Sequence, residues 1–316
     1  MIRRGVLLPA ALLAACVLAG FLTGPAGADR RGPAAAADAW VPGPAGEEWV
    51  LPGDRDPEAA RVMQALARAY PARVTVAAQR DGDWAVLVDG AWFYWATGRL
   101  LPEGLRSQWA SFAPYRFYRY PAELPTVPLP DPLVRARLAE RVARNAASPP
   151  YRHEGFLSQL YQARTRAETE ARLVEAKFSG LRVRVHGSVA GPLEEVGRDL
   201  ERLSGEDPEI RAFLGSLKGL AGFNWRSIDG TRSRSYHGYG AAVDLVPRSY
   251  GGRQVYWRWT MENNEDWYAV PYSRRWMVPA AVTRAFEARG FVWGGKWLFF
   301  DTMHFEYRPE VLLLSQ

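Results

Sequence analysis

Ser235-Tyr236-His237-Gly238-Tyr239-Gly240-Ala241-Ala242-Val243-Asp244 and, near the C-terminus, Asp301-Thr302-Met303-His304-Phe305-Glu306 decide how this chain reads. A catalytic zinc takes three protein ligands and keeps a further position for water, which it acidifies. His237, Asp244 and His304 have the donor types for that shell. Six residues separate His237 from Asp244, too many for one helical turn or for neighbouring strand positions. Gly238 and Gly240 let the chain turn between them, so a loop presents His237 and the next strand presents Asp244. The plainer alternative is a turn histidine and a strand-end aspartate with no metal. Hydrolysis also needs a carboxylate that is not a ligand, to take a proton and pass it to the leaving amine. Asp301, three residues before His304, is the candidate. His304 and Glu306 lie two apart on an expected strand and share a face, so Glu306 either orients an imidazole, binds a substrate amine or pairs with Arg308 at the surface.

The order Ser-x-His-x-x-Gly-x-Ala-x-Asp, then Gly294-Gly295-x-Trp297, then Asp-x-x-His-Phe-Glu resembles the M15 zinc peptidases of bacterial cell-wall metabolism. That family includes D-alanyl-D-alanine carboxypeptidases and L-alanyl-D-glutamate endopeptidases. The resemblance spans residues 222–307 and implies His237, Asp244 and His304 as zinc ligands and Asp301 as general base. It further implies that Arg226 stabilises the oxyanion of the tetrahedral intermediate. Arg226, Arg232 and Arg234 are rivals for a clamp on a substrate carboxylate, and Ser235 either binds a substrate peptide group or caps the turn. Many of the carboxypeptidases place Glu-x-x-His where this chain has Asp301 to His304, which brings it closer to the endopeptidase branch. The implied activity is zinc-dependent hydrolysis of peptidoglycan stem peptides. The competing class is a non-catalytic, zinc-stabilised module that binds cell wall or a protein, for which hedgehog signalling domains are the precedent. The retained Asp301 favours the enzyme.

The 316-residue chain is 48% hydrophobic, enough for a substantial core. Arg3-Arg4, an apolar run from Val6 to Leu22 and Ala26-Gly27-Ala28 read as a secretory signal over residues 1–28. Leu13-Ala14-Ala15-Cys16 offers a rival lipobox, with membrane attachment through a lipidated Cys16; an uncleaved anchor is the third reading. Each implies export to the periplasm or cell envelope. Cys16 is the sole cysteine, which excludes a disulfide scaffold and a cysteine nucleophile. The formal charge is +6, and +4 without Arg3 and Arg4, a modest excess that suits an anionic envelope. No basic tract interleaved with aromatics points to nucleic acid.

The expected fold is α+β: a C-terminal domain over 180–316 with the metal on its sheet, preceded by a small helix plus β-meander module and long helices. Residues 29–55 read as an Ala/Pro/Gly linker and 56–130 as the N-terminal module. In that module Asp56-Pro57 opens a helix to Tyr70, and three β-rich runs follow, joined at Asp81-Gly82 and Asp89-Gly90. A helical connector over 131–179 combines a helix from Asp131-Pro132 to Ala147 with a longer one from His153 to Phe178. Farther on, strands are expected at Leu181–His186, Phe223–Ile228, Ala242–Val246 and Met303–Tyr307, and helices at 193–203, 208–217 and 279–289. His153 and His186 carry no pattern and no assigned role. The aromatics Tyr256, Trp257, Trp259, Trp267, Tyr268 and Trp276 either wall a substrate groove or pack an insertion.

Overall fold

Residue patterning and turn chemistry account for most of the elements in the computed structural model, which describes residues 57–316 and a short strand, β1, at Ala39–Trp40. The signal, lipobox and most of the linker lie outside the described residues. Helix α1, Pro57–Ala69, buries Ala60, Met63, Leu66 and Ala67 along one face. Strands β2 (Val74–Arg80), β3 (Asp83–Val88), β4 (Ala91–Trp95) and β5 (Leu100–Leu101) follow, in a five-stranded sheet ordered β1-β2-β3-β4-β5. Both Asp-Gly turns have positive φ at each central residue, 51° and 83° at Asp81-Gly82 and 45° and 78° at Asp89-Gly90, the backbone a two-residue hairpin demands.

Asp131 caps α2, Pro132–Ala147, by accepting from the amides of Leu133 and Val134, and Pro132 occupies the first turn. The long helix expected from His153 to Phe178 is absent. In its place are α3 (Gly155–Leu160), α4 (Arg166–Glu170) and strand β6 (Leu173–Phe178). Gln162 at φ 47° breaks the helix, and a Thr165/Glu168 capping box starts a new one. Ser179-Gly180, again both at positive φ, then turn β6 back onto β7, Leu181–His186. The expected domain boundary at residue 180 therefore falls on a hairpin tip.

Helices α5 (Gly187–Glu206) and α6 (Pro208–Ser216) lead into β8, Leu217–Ala221. The strand expected at Phe223–Ile228 is a loop: Phe223 N bonds to Arg184 O at 2.9 Å and Asn224 N to His237 O at 3.1 Å, so its amides serve β7 and the ligand turn, not a ladder. Strand β9 (Ala242–Pro247), helices α7 (Trp257–Met261) and α8 (Ala280–Glu287), strands β10 (Phe291–Trp293) and β11 (His304–Tyr307), and helix α9 (Pro309–Leu313) complete the chain. β8 to β11 form an antiparallel sheet ordered β10-β11-β9-β8.

One apolar core runs through both halves, joining Met63 and Leu66 of α1 and Val86 of β3 with Leu193 of α5, Val243 of β9 and Phe305 of β11. Residues 121–130, with prolines at 121, 125, 128 and 130, are strapped to the C-terminal half. Tyr120 Oη donates to Glu287 Oε1 at 2.6 Å, Lys296 Nζ donates to the carbonyls of Pro121 and Ala122, and Tyr272 Oη donates to Pro125 O at 2.7 Å. No helix among the described residues is long and apolar enough to cross a membrane.

Candidate metal centre

A single 3-10 turn, Tyr236–Tyr239, delivers His237. Ser235 caps it by accepting from His237 N at 3.2 Å, and Gly240 ends it at φ 68°. A side chain on Gly240 would be strained there and would meet His186 N at 2.7 Å. The carbonyl of Gly222 receives His237 Nδ1 at 2.6 Å, which fixes the tautomer and aims the lone pair of Nε2 into the site.

The other two ligand candidates come from facing strands. His304 of β11 and Asp244 of β9 are direct cross-strand partners. His304 Nε2 lies 3.2 Å from Glu306 Oε1, so the imidazole donates there and turns Nδ1 inward. Three acceptor atoms therefore converge. His304 Nδ1 is 2.9 Å from Asp244 Oδ1, His237 Nε2 is 3.2 Å from the same oxygen, and the two imidazole nitrogens are 3.1 Å apart. Donors held at zinc bonding distance in a tetrahedron stand roughly 3.3 Å apart, so the residues fit the ion. With the outer nitrogens of both rings engaged as donors, three lone pairs face one point, an arrangement that calls for a cation or a proton. Burial opposes the Asp244 charge, yet His237 and His304 hold its carboxyl well below the usual range. Burial likewise opposes a charged His304, but Asp244 and Glu306 hold it well above an ordinary histidine.

Asp301 stands apart from this cluster. Its Oδ1 is shut off from solvent and has no hydrogen-bond partner, an orphaned acceptor of the sort that functional sites retain. Burial pushes its carboxyl up to about 6, against the pull of His304. The Gly294 carbonyl accepts from Asp301 N at 3.1 Å, and a Cβ on Gly294 would come within 2.5 Å of Asp301 O, so this close passage needs glycine. Tyr256, one of the aromatics between the second and third ligand candidates, forms a backbone bridge with Asp301. Its phenol is pushed up to about 12 by burial and by Asp229, with Asp301 also contributing. Only a non-local backbone pairing brings it here, which the sequence does not signal.

The arginines separate cleanly. Arg226 is exposed on the loop before the ligand turn, its guanidinium making only a 3.4 Å contact with Ser227 O. Arg232 lies against the connector, bonding Pro149 O and stacking over Tyr151. Arg234 is buried: it pairs with Glu154 at 2.5 Å, donates to the carbonyls of Ala163 and Arg164, and lies between the rings of Trp225 and Tyr239. The structure thus puts Arg234 in the fold's interior, away from the clamp role open to it in the sequence, and puts Ser235 in the capping role. Arg234→Met should cost about 3 kcal/mol of stability by stranding Glu154, whereas Arg226→Met should leave the melting temperature unchanged. Thermal melts of the two variants decide between these placements.

His186 caps α5, bonding Ser188 Oγ and Tyr161 O, and His153 packs edge-on to Phe112, so both serve the fold. Trp257, Trp267 and Phe299 pack on one another, and Trp259 is exposed. Among the described residues His237, Asp244 and His304 form a group able to hold a metal ion, their ligand atoms lying within 4.8 Å of one another.

Residues 229–307 match the family model described as D-alanyl-D-alanine carboxypeptidase, and residues 62–117 match a domain of unknown function. No curated protein and no solved structure matches the chain.

Proposed function

We propose, residues 229–307 being an M15 peptidase domain of the kind that acts on peptidoglycan, that this protein hydrolyses stem peptides with a zinc ion held by His237, Asp244 and His304. The observation that carries the proposal is the solvent-shielded Oδ1 of Asp301, without a hydrogen-bond partner and three residues before His304, together with three converging ligand atoms. Zinc in this cradle supplies Lewis acidity, acidifying water and polarising the scissile carbonyl. Asp301 accepts the proton of the attacking water and returns it to the leaving nitrogen. Arg226, exposed and nearly free of partners, places positive charge where the carbonyl oxygen becomes negative. Glu306 and the Gly222 carbonyl keep the two imidazoles in the ligating orientation. A binding module without catalysis has no use for a carboxyl oxygen left without a hydrogen bond at that place.

The reaction we favour is removal of the terminal residue from D-Ala-D-Ala, following the description of the matched family. Asp301-x-x-His304 supports a second reading, cleavage between L-Ala and D-Glu. Analysis of products from a pentapeptide muropeptide separates them: a free D-Ala marks the carboxypeptidase, and a peptide beginning at D-Glu marks the endopeptidase. Export through residues 1–28, to the periplasm or envelope, belongs to the same proposal.

The pH profile follows from Asp301. The base acts ionised, so activity falls as pH drops through its pKa, about 6 in the metal-free protein. A bound cation stabilises the carboxylate and moves that limb lower. We therefore expect kcat/KM to be flat near neutrality with an acid limb at or below pH 6, and a limb centred above pH 7 would assign the base elsewhere.

A further inference from the structure

The N-terminal module reaches the metal cradle through a buried polar chain. From His304 it runs to Glu306 (3.2 Å), from Glu306 Oε2 to Arg308 Nη1 (4.0 Å), from Arg308 Nε to Glu310 Oε1 (2.8 Å), and ends where Tyr70 Oη donates to Glu310 Oε2 (2.7 Å). Tyr70 follows the last turn of α1 and lies 240 residues before Glu310. Arg308 is the hub. Its Nη2 donates to Arg116 O at 3.0 Å, and its guanidinium lies 5.3 Å from the ring of Tyr236, the residue before the ligand His237. Arg308 and Glu310 are 4% and 3% exposed. Buried ion pairs of this kind add little stability over apolar packing, so their presence calls for another reason. Here each link fixes the next: Tyr70 and Arg308 pin Glu310, Arg308 faces Glu306, and Glu306 orients His304. Tyr70 and Arg116 both fall within residues 62–117, the segment that matches a domain of unknown function.

We propose that Tyr70, Glu310 and Arg308 are positioning residues for the metal ligand His304, so that the N-terminal module is a working part of the metal centre and not an appended domain. This rests on the cradle described above being a zinc site. Its test is zinc affinity, measured by chelator competition on the full chain, with the melting temperature of the metal-free protein recorded alongside. Arg308→Met should weaken zinc binding about tenfold or more, the range seen when outer partners of a ligand are removed. Tyr70→Phe keeps the ring packed against Tyr307, removes only the hydroxyl, and should weaken binding several-fold. In a Glu306→Gln background, where the link to His304 is altered, Tyr70→Phe should have no further effect, because coupled residues are not additive. Both variants lowering the melting temperature while zinc affinity stays at the wild-type value would overturn the proposal, as would full additivity with Glu306→Gln. A wild-type chain that binds no zinc would instead overturn the cradle itself, and with it the positioning role.

Discussion

Asp301→Asn should retain the fold and the zinc and lose roughly 10²- to 10⁴-fold in kcat, the usual contribution of a positioned general acid–base. The amide has the shape of the carboxyl and meets no hydrogen-bonding group at Oδ1, which has no partner in the wild type. It cannot accept the proton of the attacking water. Since burial disfavours the charge of Asp301, the neutral variant should be at least as stable as the parent, the sign expected when a catalytic group is held in an unfavourable setting. A melt and a zinc titration on the inactive variant check both points. Loss of zinc together with activity would make Asp301 a ligand, and unchanged activity would remove it from the chemistry.

His237→Ala should abolish both zinc binding and hydrolysis. The cradle has three donors whose spacing fits one ion, and two cannot hold a catalytic zinc with its open position. Zinc that binds only the native state raises stability by RT ln(1 + [L]/Kd), about 4 kcal/mol at a thousandfold excess over Kd. The wild type should therefore melt at a higher temperature when zinc is added, and the variant should not respond. An equal response in both would place the ion elsewhere. The contrast with Asp301→Asn is what separates a ligand from a base: one variant loses the zinc response, the other keeps it.

The cradle was legible in the sequence because its parts sit in local, recognisable settings. Gly240 makes the turn that presents His237, and the strand periods at 242–247 and 304–307 put Asp244 and His304 on facing positions. The Asp-Gly hairpins and the Asp131 cap were legible for the same reason: each depends on two to four consecutive residues. The helix expected through 153–178 failed because Leu157, Leu160, Tyr161, Ala167, Ala171, Val174 and Phe178 fit a helical stripe as well as a break followed by a hairpin. What decides between them is Ser179-Gly180 turning β6 onto β7, a pairing that periodicity in a single segment does not contain. Arg234 was ambiguous for a related reason. Its partners Glu154, Ala163 and Arg164 lie some 70 to 80 residues away in the chain, and only the fold reveals that they surround it. Tyr70 and Glu310 are the extreme instance, 240 residues apart in the chain and joined by a hydrogen bond.

The most direct measurement is mass spectrometry of pentapeptide muropeptides incubated with the protein, with and without a zinc chelator. Loss of D-Ala, or release of a peptide beginning at D-Glu, that stops on chelation and returns with added zinc is the expected result. Intact muropeptide beside a protein that demonstrably carries zinc would contradict catalysis at this centre and leave a zinc-stabilised binding module.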